Sequence, residues 1–325
     1  MQPRFFKNLG PIDLKKIKML IECSTYEISD DAVFFNITSI DKLKKNELSF
    51  LSNTELINDV DYSVGTIICT EIIRKRFKGK PSLIIVKDTQ TAISILSNSF
   101  YRSFTNNEID SLEKPRIDHN CEIDKTAVIE NGSIIGNNVK IGHGCFIGYN
   151  SIIGDNTSID SNSVITNSII AENVAIGRNV SIGQQGFGFA INRNENIKIQ
   201  HIGKVILQSG VSIGSNCTID RGSFSDTIIG ENSYFDNLCH IAHNVIIGNN
   251  CIFAGMSGIA GSTIVGNNVM AGGQTGIAGH LKIGNNVRIA AQSGVLTNIQ
   301  DNSSVMGHPA INKFKYIKKY KKNYA

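Results

Sequence analysis

From Ile229 to Val295 an apolar residue returns at every sixth position, through Phe235, Ile241, Ile247, Phe253, Ile259, Val265, Ala271, Ile277, Ile283 and Ile289, and only Ala271 is a weak member. A six-residue period fits neither a helix, at about 3.6, nor an isolated strand, at about 2. It fits a solenoid whose units cannot bury their apolar side alone and must stack to do so. The same period opens earlier as an unbroken series of isoleucines at 117, 123, 129, 135, 141, 147, 153, 159 and 165. The fifth residue of these units is mostly small or thin (Cys121, Ala127, Ser133, Val139, Cys145, Ser151, Thr157, Ser163), which suits an inward position beside a tight corner. Glycine and asparagine recur between, as in Ile135-Gly136-Asn137-Asn138, because such corners need residues that tolerate positive φ. Three hexads close one triangular coil of 18 residues, rising by one strand spacing of roughly 4.8 Å. The predicted class is mainly β, a parallel β-helix.

The breaks in this pattern carry as much information as the pattern. A step of five separates Ile165 from Ile170, Ile176 and Ile182 continue the series, and it is then lost until Leu207. The gap contains Gly183-Gln184-Gln185-Gly186-Phe187-Gly188-Phe189-Ala190 and a polar run to Gln200. A coil tolerates an outward loop only at a corner, and such loops often carry function. After Leu207, Ile213 and Ile219, one enlarged step of ten leads to Ile229. Residues 1–110 contain no hexads. Their spacing predicts helices over 11–23 and 89–100 and strands over 33–37, 48–51, 64–69 and 82–86, a small α/β domain. The division expected is 1–110, 111–303 for the β-helix, and 304–325, where Pro309 stops the repeat and Phe314, Ile317, Tyr320 and Tyr324 suggest a short basic helix.

Charge changes this picture at one end only. The chain of 325 residues has net charge +4, but the segment after Pro309 holds six lysines and no acid, leaving the remainder at −2. That tail is either a solvated end or a docking patch for an acidic partner. Seven cysteines form no CxxC or CxxH pattern, and Cys121, Cys145, Cys239 and Cys251 occupy small apolar positions of the hexads, so they read as core in a reducing compartment. No apolar run reaches the roughly 18 to 20 residues that span a bilayer, and the N-terminus has no signal-peptide core. A cytoplasmic protein is expected.

Two histidines stand out in the long repeat. His243 and His280 are 37 residues apart, two coils plus one, which sets them near one corner about 10 Å apart and facing outward. Two chemistries compete. Three histidines on a prism can hold Zn²⁺ with an open site for water, but the third ligand is missing: His240 should lie on another face, and His143 and His201 are coils away. A single histidine acting as general base suits acyl transfer from a thioester, where only the nucleophile needs deprotonation. Neither metal nor cofactor is called for on that reading.

The runs Ile219-Asp220-Arg221-Gly222, Asp226-Thr227-Ile228-Ile229-Gly230 and Asp236-Asn237-Leu238-Cys239-His240-Ile241-Ala242-His243-Asn244-Val245-Ile246-Ile247-Gly248 closely resemble the UDP-3-O-(3-hydroxyacyl)glucosamine N-acyltransferases of lipid A synthesis. Leu48-Ser49-Phe50-Leu51-Ser52-Asn53 and the Gly186-Phe187-Gly188-Phe189 loop match the same pattern, so the resemblance covers nearly the whole chain. It implies a left-handed β-helix and a homotrimer with sites between subunits. The implied reaction moves an (R)-3-hydroxyacyl group from acyl carrier protein to the 2-amino group of UDP-3-O-acylglucosamine. His243 would be the base, Asp236 would orient the imidazole or the substrate ammonium, and the Gly261 N–H, one coil on, would be the oxyanion donor. His280 would contact the nucleotide end or the acyl hydroxyl, Asn237 would bind substrate, and Met256, Met270 and Phe253 are candidates for the floor of an acyl groove. Phe50 would stack on uracil and Asn53 bond the nucleotide. The chain departs from the pattern at Leu56, where a second aromatic is usual, which implies binding weaker by roughly 0.5 to 1.5 kcal/mol. The lysine tail would meet the acidic carrier protein. Two other readings stay open: a sugar O-acyltransferase or other N-acyltransferase on the same scaffold, and a non-catalytic β-helix, which calls for a flat Thr or Ser face that the hexads lack.

Overall fold

The structure, a computed structural model, describes residues 4–52, 64–79, 81–191 and 195–307. Asn53, Leu56 and the lysine-rich segment with its expected helix lie outside the described residues. At the N-terminal end, a five-stranded sheet runs in the order Cys23–Glu27, Ser82–Val86, Thr66–Cys69, Glu47–Phe50, Asn36–Ile37. Its first pair is antiparallel and the others are parallel. Leu14–Leu20 and Thr89–Phe100 are helices, and Leu14, Ile17, Ile93, Leu96 and Phe100 bury their apolar faces with Leu48 and Ile84 of the sheet. The expected 11–23 helix is shorter. Asp13 caps it by accepting from the Lys16 N–H at 2.7 Å, and Cys23 already starts a strand. The expected 33–37 strand is split into Val33–Phe34 and Asn36–Ile37, pairing with different sheets around an exposed Phe35.

From Arg116 onward the chain coils into three parallel sheets, of nine, ten and nine strands among the described residues. The first carries Ile135, Ile153, Ile170, Leu207, Ile229, Ile247, Val265 and Ile283 inward; the second continues from Ile141 and the third from Ile147. Each inward residue stands over its counterpart one coil away, as in Ile117↔Ile135 and Ile241↔Ile259. The dry column this makes is the core. Its first coil is an exception, with Ile117 47% exposed, since an end coil has a neighbour on one side only. Cys145, Cys239 and Cys251 are buried as expected and Cys121 partly so, all with free thiols.

Corner chemistry separates scaffold from site. At the first corner the left-handed position is asparagine in every coil from Asn120 to Asn302 apart from Gly210, with links such as Asn268 Nδ2 donating to Asn286 Oδ1 at 3.0 Å. The second corner begins the same way with Gly144, Asn162, Asn179 and Asn216, then changes to Leu238, Met256, Gln274 and Gln292. The third keeps asparagine at Asn244 and changes to Ser262 and His280 in the next two coils. Left-handed φ is costly for residues other than glycine and asparagine. Those corners therefore carry a cost the fold does not require, a common sign of function.

Both outward excursions from the hexad series leave from the third corner. Residues 183–204 run out between Ser181–Gln185 of the third sheet and Val205–Leu207 of the first. The shorter step lies between Thr218–Arg221 and Thr227–Ile229. His243 occupies the same corner in the next coil, between His240–Ile241 and Ile246–Ile247. In urea denaturation, Asn250→Leu at the first corner is expected to cost about 1 kcal/mol and Met256→Asn at the second to gain a similar amount.

Candidate active site

The two excursions fold against the N-terminal domain. The hairpin Phe189–Ile191 with Asn196–Lys198 lies along the Thr89–Phe100 helix. There Asn98 Nδ2 donates to the Lys198 carbonyl at 2.9 Å, and Ser97 Oγ accepts from the Gln200 N–H at 3.2 Å. Phe224 of the second excursion meets Phe50 edge-on, ring centroids 5.0 Å apart. Phe50 is thus half-buried and joins the N-terminal domain to the coil. Behind the loop, buried Arg221 donates from Nε to the His201 carbonyl at 2.9 Å and from Nη1 to the Gly183 carbonyl at 3.0 Å. Burial pulls its pKa down to about 10, so it keeps its charge at neutral pH.

His243 is half-buried beneath this loop. Its Nδ1 lies 2.9 Å from Asn244 Oδ1. The Asn244 amide cannot turn over without loss: Oδ1 accepts from the Ser223 N–H at 3.1 Å, and Nδ2 donates to Ser225 O and Oγ at 3.2 and 2.7 Å. The atom facing His243 Nδ1 is therefore an acceptor, so Nδ1 carries the proton and Nε2 the lone pair. On the next coil, a Cβ at Gly261 would stand 2.8 Å from Nε2 and 2.7 Å from Cε1, so only glycine admits the ring. At several first-corner positions the matching N–H is capped by a side chain one coil on, as Asn249 N–H is by Asn267 Oδ1 at 2.8 Å. For Gly261 that place is Gly279, which has no side chain. Among the described residues the Gly261 N–H has no recorded acceptor.

His201 lies against the same ring, imidazole centroids 5.0 Å apart. It is 1% exposed, and its Nδ1 accepts from the Gly186 N–H at 3.0 Å. Burial, with the neighbouring His243 and Arg221 charges, lowers its pKa to about 3, so it is neutral at neutral pH. The expectation that His201 is coils away fails, because the excursion doubles back over the corner it left. Asp236 does not hold the imidazole within the chain: its carboxylate accepts from Asn237 N and Nδ2 at 2.7 and 3.0 Å and from the Gly255 N–H at 3.1 Å, at the second corner. Seven residues amount to one side of the prism, which carries Asp236 to a different edge. Asn237 Oδ1 caps the Ser215 N–H at 2.7 Å.

His280 stands exposed at the third corner, its N–H on the Gly261 carbonyl at 3.0 Å, so it shares the edge with His243. His243 itself does not face outward freely; the loop covers it. Met256 and Met270 are exposed, whereas Phe253 is sealed in the core on Phe235, centroids 5.1 Å apart, and cannot line a surface groove. His240 faces outward from the third sheet, Nδ1 2.7 Å from Thr218 Oγ1 and Nε2 3.8 Å from the buried Asp220 carboxylate. Burial raises the Asp220 pKa, against the opposing pull of a Gln184 hydrogen bond. Among the described residues no three His, Cys, Asp or Glu side chains converge as a metal site. Asn244 and His201 escape a reading of the repeat: asparagine at that corner position is the ordinary choice, and only the break in the hexads marks His201.

Parts of the chain are similar to known proteins. Residues 226–261 match the bacterial transferase hexapeptide (six repeats) family and residues 112–202 the GMPPB C-terminal domain family. A UDP-3-O-acylglucosamine N-acyltransferase of Methylobacterium nodulans is 55% identical over 62 residues, 19% of this chain and 18% of that protein. The protein of that name from Leptospira biflexa is 49% identical over 59 residues, 18% of this chain and 17% of its own. The match thus spans under a fifth of the length of these curated relatives. The solved structure of UDP-N-acetylglucosamine acyltransferase from Campylobacter jejuni superposes with a TM-score of 0.52 at 25% identity, covering 61% of this chain and 77% of that one.

Burial of neutral His201 makes a pH-dependent contribution. The unfolded chain protonates it near pH 6.5, the native state only near 3, so between these the unfolded state binds more protons. Stability should fall as pH drops through this window, by up to roughly 1.4 kcal/mol per unit. Urea midpoints at pH 7 and pH 5 should differ less for His201→Gln than for wild type.

Proposed function

We propose that the protein is an N-acyltransferase of lipid A synthesis that moves an (R)-3-hydroxyacyl group from acyl carrier protein to the 2-amino group of UDP-3-O-(3-hydroxyacyl)glucosamine. The observation that carries this is the His243 Nε2 lone pair held beside the unengaged Gly261 N–H, a base and an oxyanion donor on adjacent coils of one corner. The names of the curated relatives point to the same reaction.

On this reading Nε2 removes a proton from the amine as its nitrogen attacks the thioester carbonyl. Negative charge gathers on the carbonyl oxygen, where the Gly261 N–H meets it; one such donor typically contributes about 2.7 to 4 kcal/mol. Collapse breaks the C–S bond, and the carrier thiolate takes the proton back from the imidazolium. Amide and free thiol leave, and the histidine returns to its starting tautomer. The Nδ1–H bond to Asn244 keeps Nε2 aimed throughout.

Phe50 stands on the N-terminal domain where uracil would stack, with Asn53 bonding the nucleotide, and His280 lies two coils beyond His243 along the edge, away from that domain, where it would meet the acyl hydroxyl. A homotrimer would set the second corner of one subunit, with Asp236, Asn237, Met256 and Met270, across from the third corner of the next. The costly left-handed residues confined to those two corners support that pairing. The outward glycines Gly258, Gly276 and Gly294 add to it: a Cβ at any of them meets nothing within 4 Å in the single chain, so glycine is unneeded there unless an acyl chain or a neighbouring subunit lies close. The lysines beyond Pro309 would attract an acidic carrier protein, chiefly raising the on-rate. The likeness to a UDP-N-acetylglucosamine acyltransferase keeps a sugar O-acyltransferase as the second reading.

Purified protein supplied with 3-hydroxyacyl carrier protein should convert UDP-3-O-acylglucosamine, but not UDP-N-acetylglucosamine, to an amide-linked product seen by mass spectrometry. His243→Ala should abolish it, and Asn244→Ala should lower kcat by about 10- to 100-fold. Acylation of UDP-N-acetylglucosamine instead would favour the O-acyltransferase, and full activity of His243→Ala would remove it from the mechanism.

A further inference from the structure

The 183–204 excursion is held more elaborately than a surface loop requires. Gly183 leaves the corner at φ +84, and a Cβ there would stand 1.6 Å from the Thr166 carbonyl oxygen. A Cβ at Gly186 would meet His243 Cβ at 2.8 Å and His201 Cε1 at 3.0 Å, and one at Gly188 would meet His201 Nε2 at 2.6 Å. Each glycine is thus demanded by a different contact, and two of the three contacts are with imidazoles. Arg221 spends its buried guanidinium on the carbonyls at the two ends of the loop, Gly183 and His201, with the Phe6 ring 5.2 Å from its centre. Ser97 and Asn98 fix the returning strand to the N-terminal helix just before His201.

We infer that His201 is a positioning residue for His243: the clamped loop presses the His201 ring and the Gly186 backbone onto one side of the His243 imidazole and holds its other side against Gly261. The inference rests on the reading of His243 as the base. A hydrogen bond at Nδ1 alone leaves the ring free to swing about that bond; packing on both sides removes the swing and keeps Nε2 beside the Gly261 N–H. His201 suits the task because its Nδ1 is already engaged by Gly186 and its environment keeps it uncharged. A neutral neighbour does not oppose the positive charge that His243 acquires during transfer. The positive charge nearby, on Arg221, is directed at carbonyl oxygens.

The test pairs steady-state kinetics with hydrogen exchange at the imidazole Cε1–H of His243, read by mass spectrometry on the full-length protein at a pH above the titration range. In wild type this exchange should be slow, since Cε1 lies against Gly261. His201→Ala should speed it several-fold and lower kcat by about 100-fold, the cost of roughly an ångström of misplacement, with both KM values within about threefold. His201→Gln, whose amide oxygen can accept the Gly186 N–H, should recover kcat to within about fivefold and restore slow exchange. Gly186→Ala, a change in the loop rather than the core, should reproduce both defects and serves if the alanine variant folds poorly. Unchanged exchange in His201→Ala and Gly186→Ala, or faster exchange with kcat intact, overturns the inference. If wild type forms no amide product while exchange at His243 still responds to His201→Ala, the clamp stands and the acyl-transfer reading fails.

Discussion

Vertical stacking of coils 18 residues apart is the constraint on which the rest of this protein depends. An inward isoleucine buries itself only if its counterpart sits directly above, and the parallel ladder between coils locks that register. A slip of one residue would turn the inward column outward along a whole face. Because the register is so strongly held, side chains at one corner form a column at fixed spacing. His243, Gly261 and His280 share an edge for that reason. The scaffold thus delivers an imidazole and a glycine N–H to one place without a dedicated pocket.

What converts that edge into a site is a departure from regularity. Both excursions leave by the third corner, two coils and one coil before the coil that bears His243, and the longer one folds back over it. Arg221 ties the ends of the longer one, and the N-terminal domain holds its returning strand through Ser97 and Asn98 and the shorter one through the Phe50 and Phe224 rings. The loop and the His201 ring cover one side of the His243 imidazole, while glycine at 261 leaves room for the ring on the next coil. The first corner, asparagine in nearly every coil, receives no such treatment and serves as structure alone.

Electrostatics around His243 is arranged by burial more than by pairing. His201 is kept neutral, Arg221 keeps its charge against carbonyl oxygens, and Asp220 has its carboxyl shifted upward behind Gln184. The partner of His243 Nδ1 is an amide, Asn244, whose orientation is fixed by Ser223 and Ser225. An amide sets the tautomer as a carboxylate would, but without a buried negative charge to stabilise the imidazolium.

The sequence by itself determined the prism, its three faces, the corner shared by His243 and His280, and the places where the coil opens, because a period of six with inward isoleucine admits one way to bury its apolar side. It also singled out His243 and Gly261, which are one coil apart and so must be neighbours. Only the tertiary structure decided what surrounds them. A 22-residue excursion has no periodic register, so nothing in the spacing says that His201 returns to the ring it adjoins. Asn244 is indistinguishable in sequence from the corner asparagines that merely accept positive φ. Asp236, near His243 along the chain, lies at another edge because seven residues turn the backbone around one side of the prism. Repeats fix position along and around the axis; contacts made by the segments that leave the repeat depend on where those segments come back.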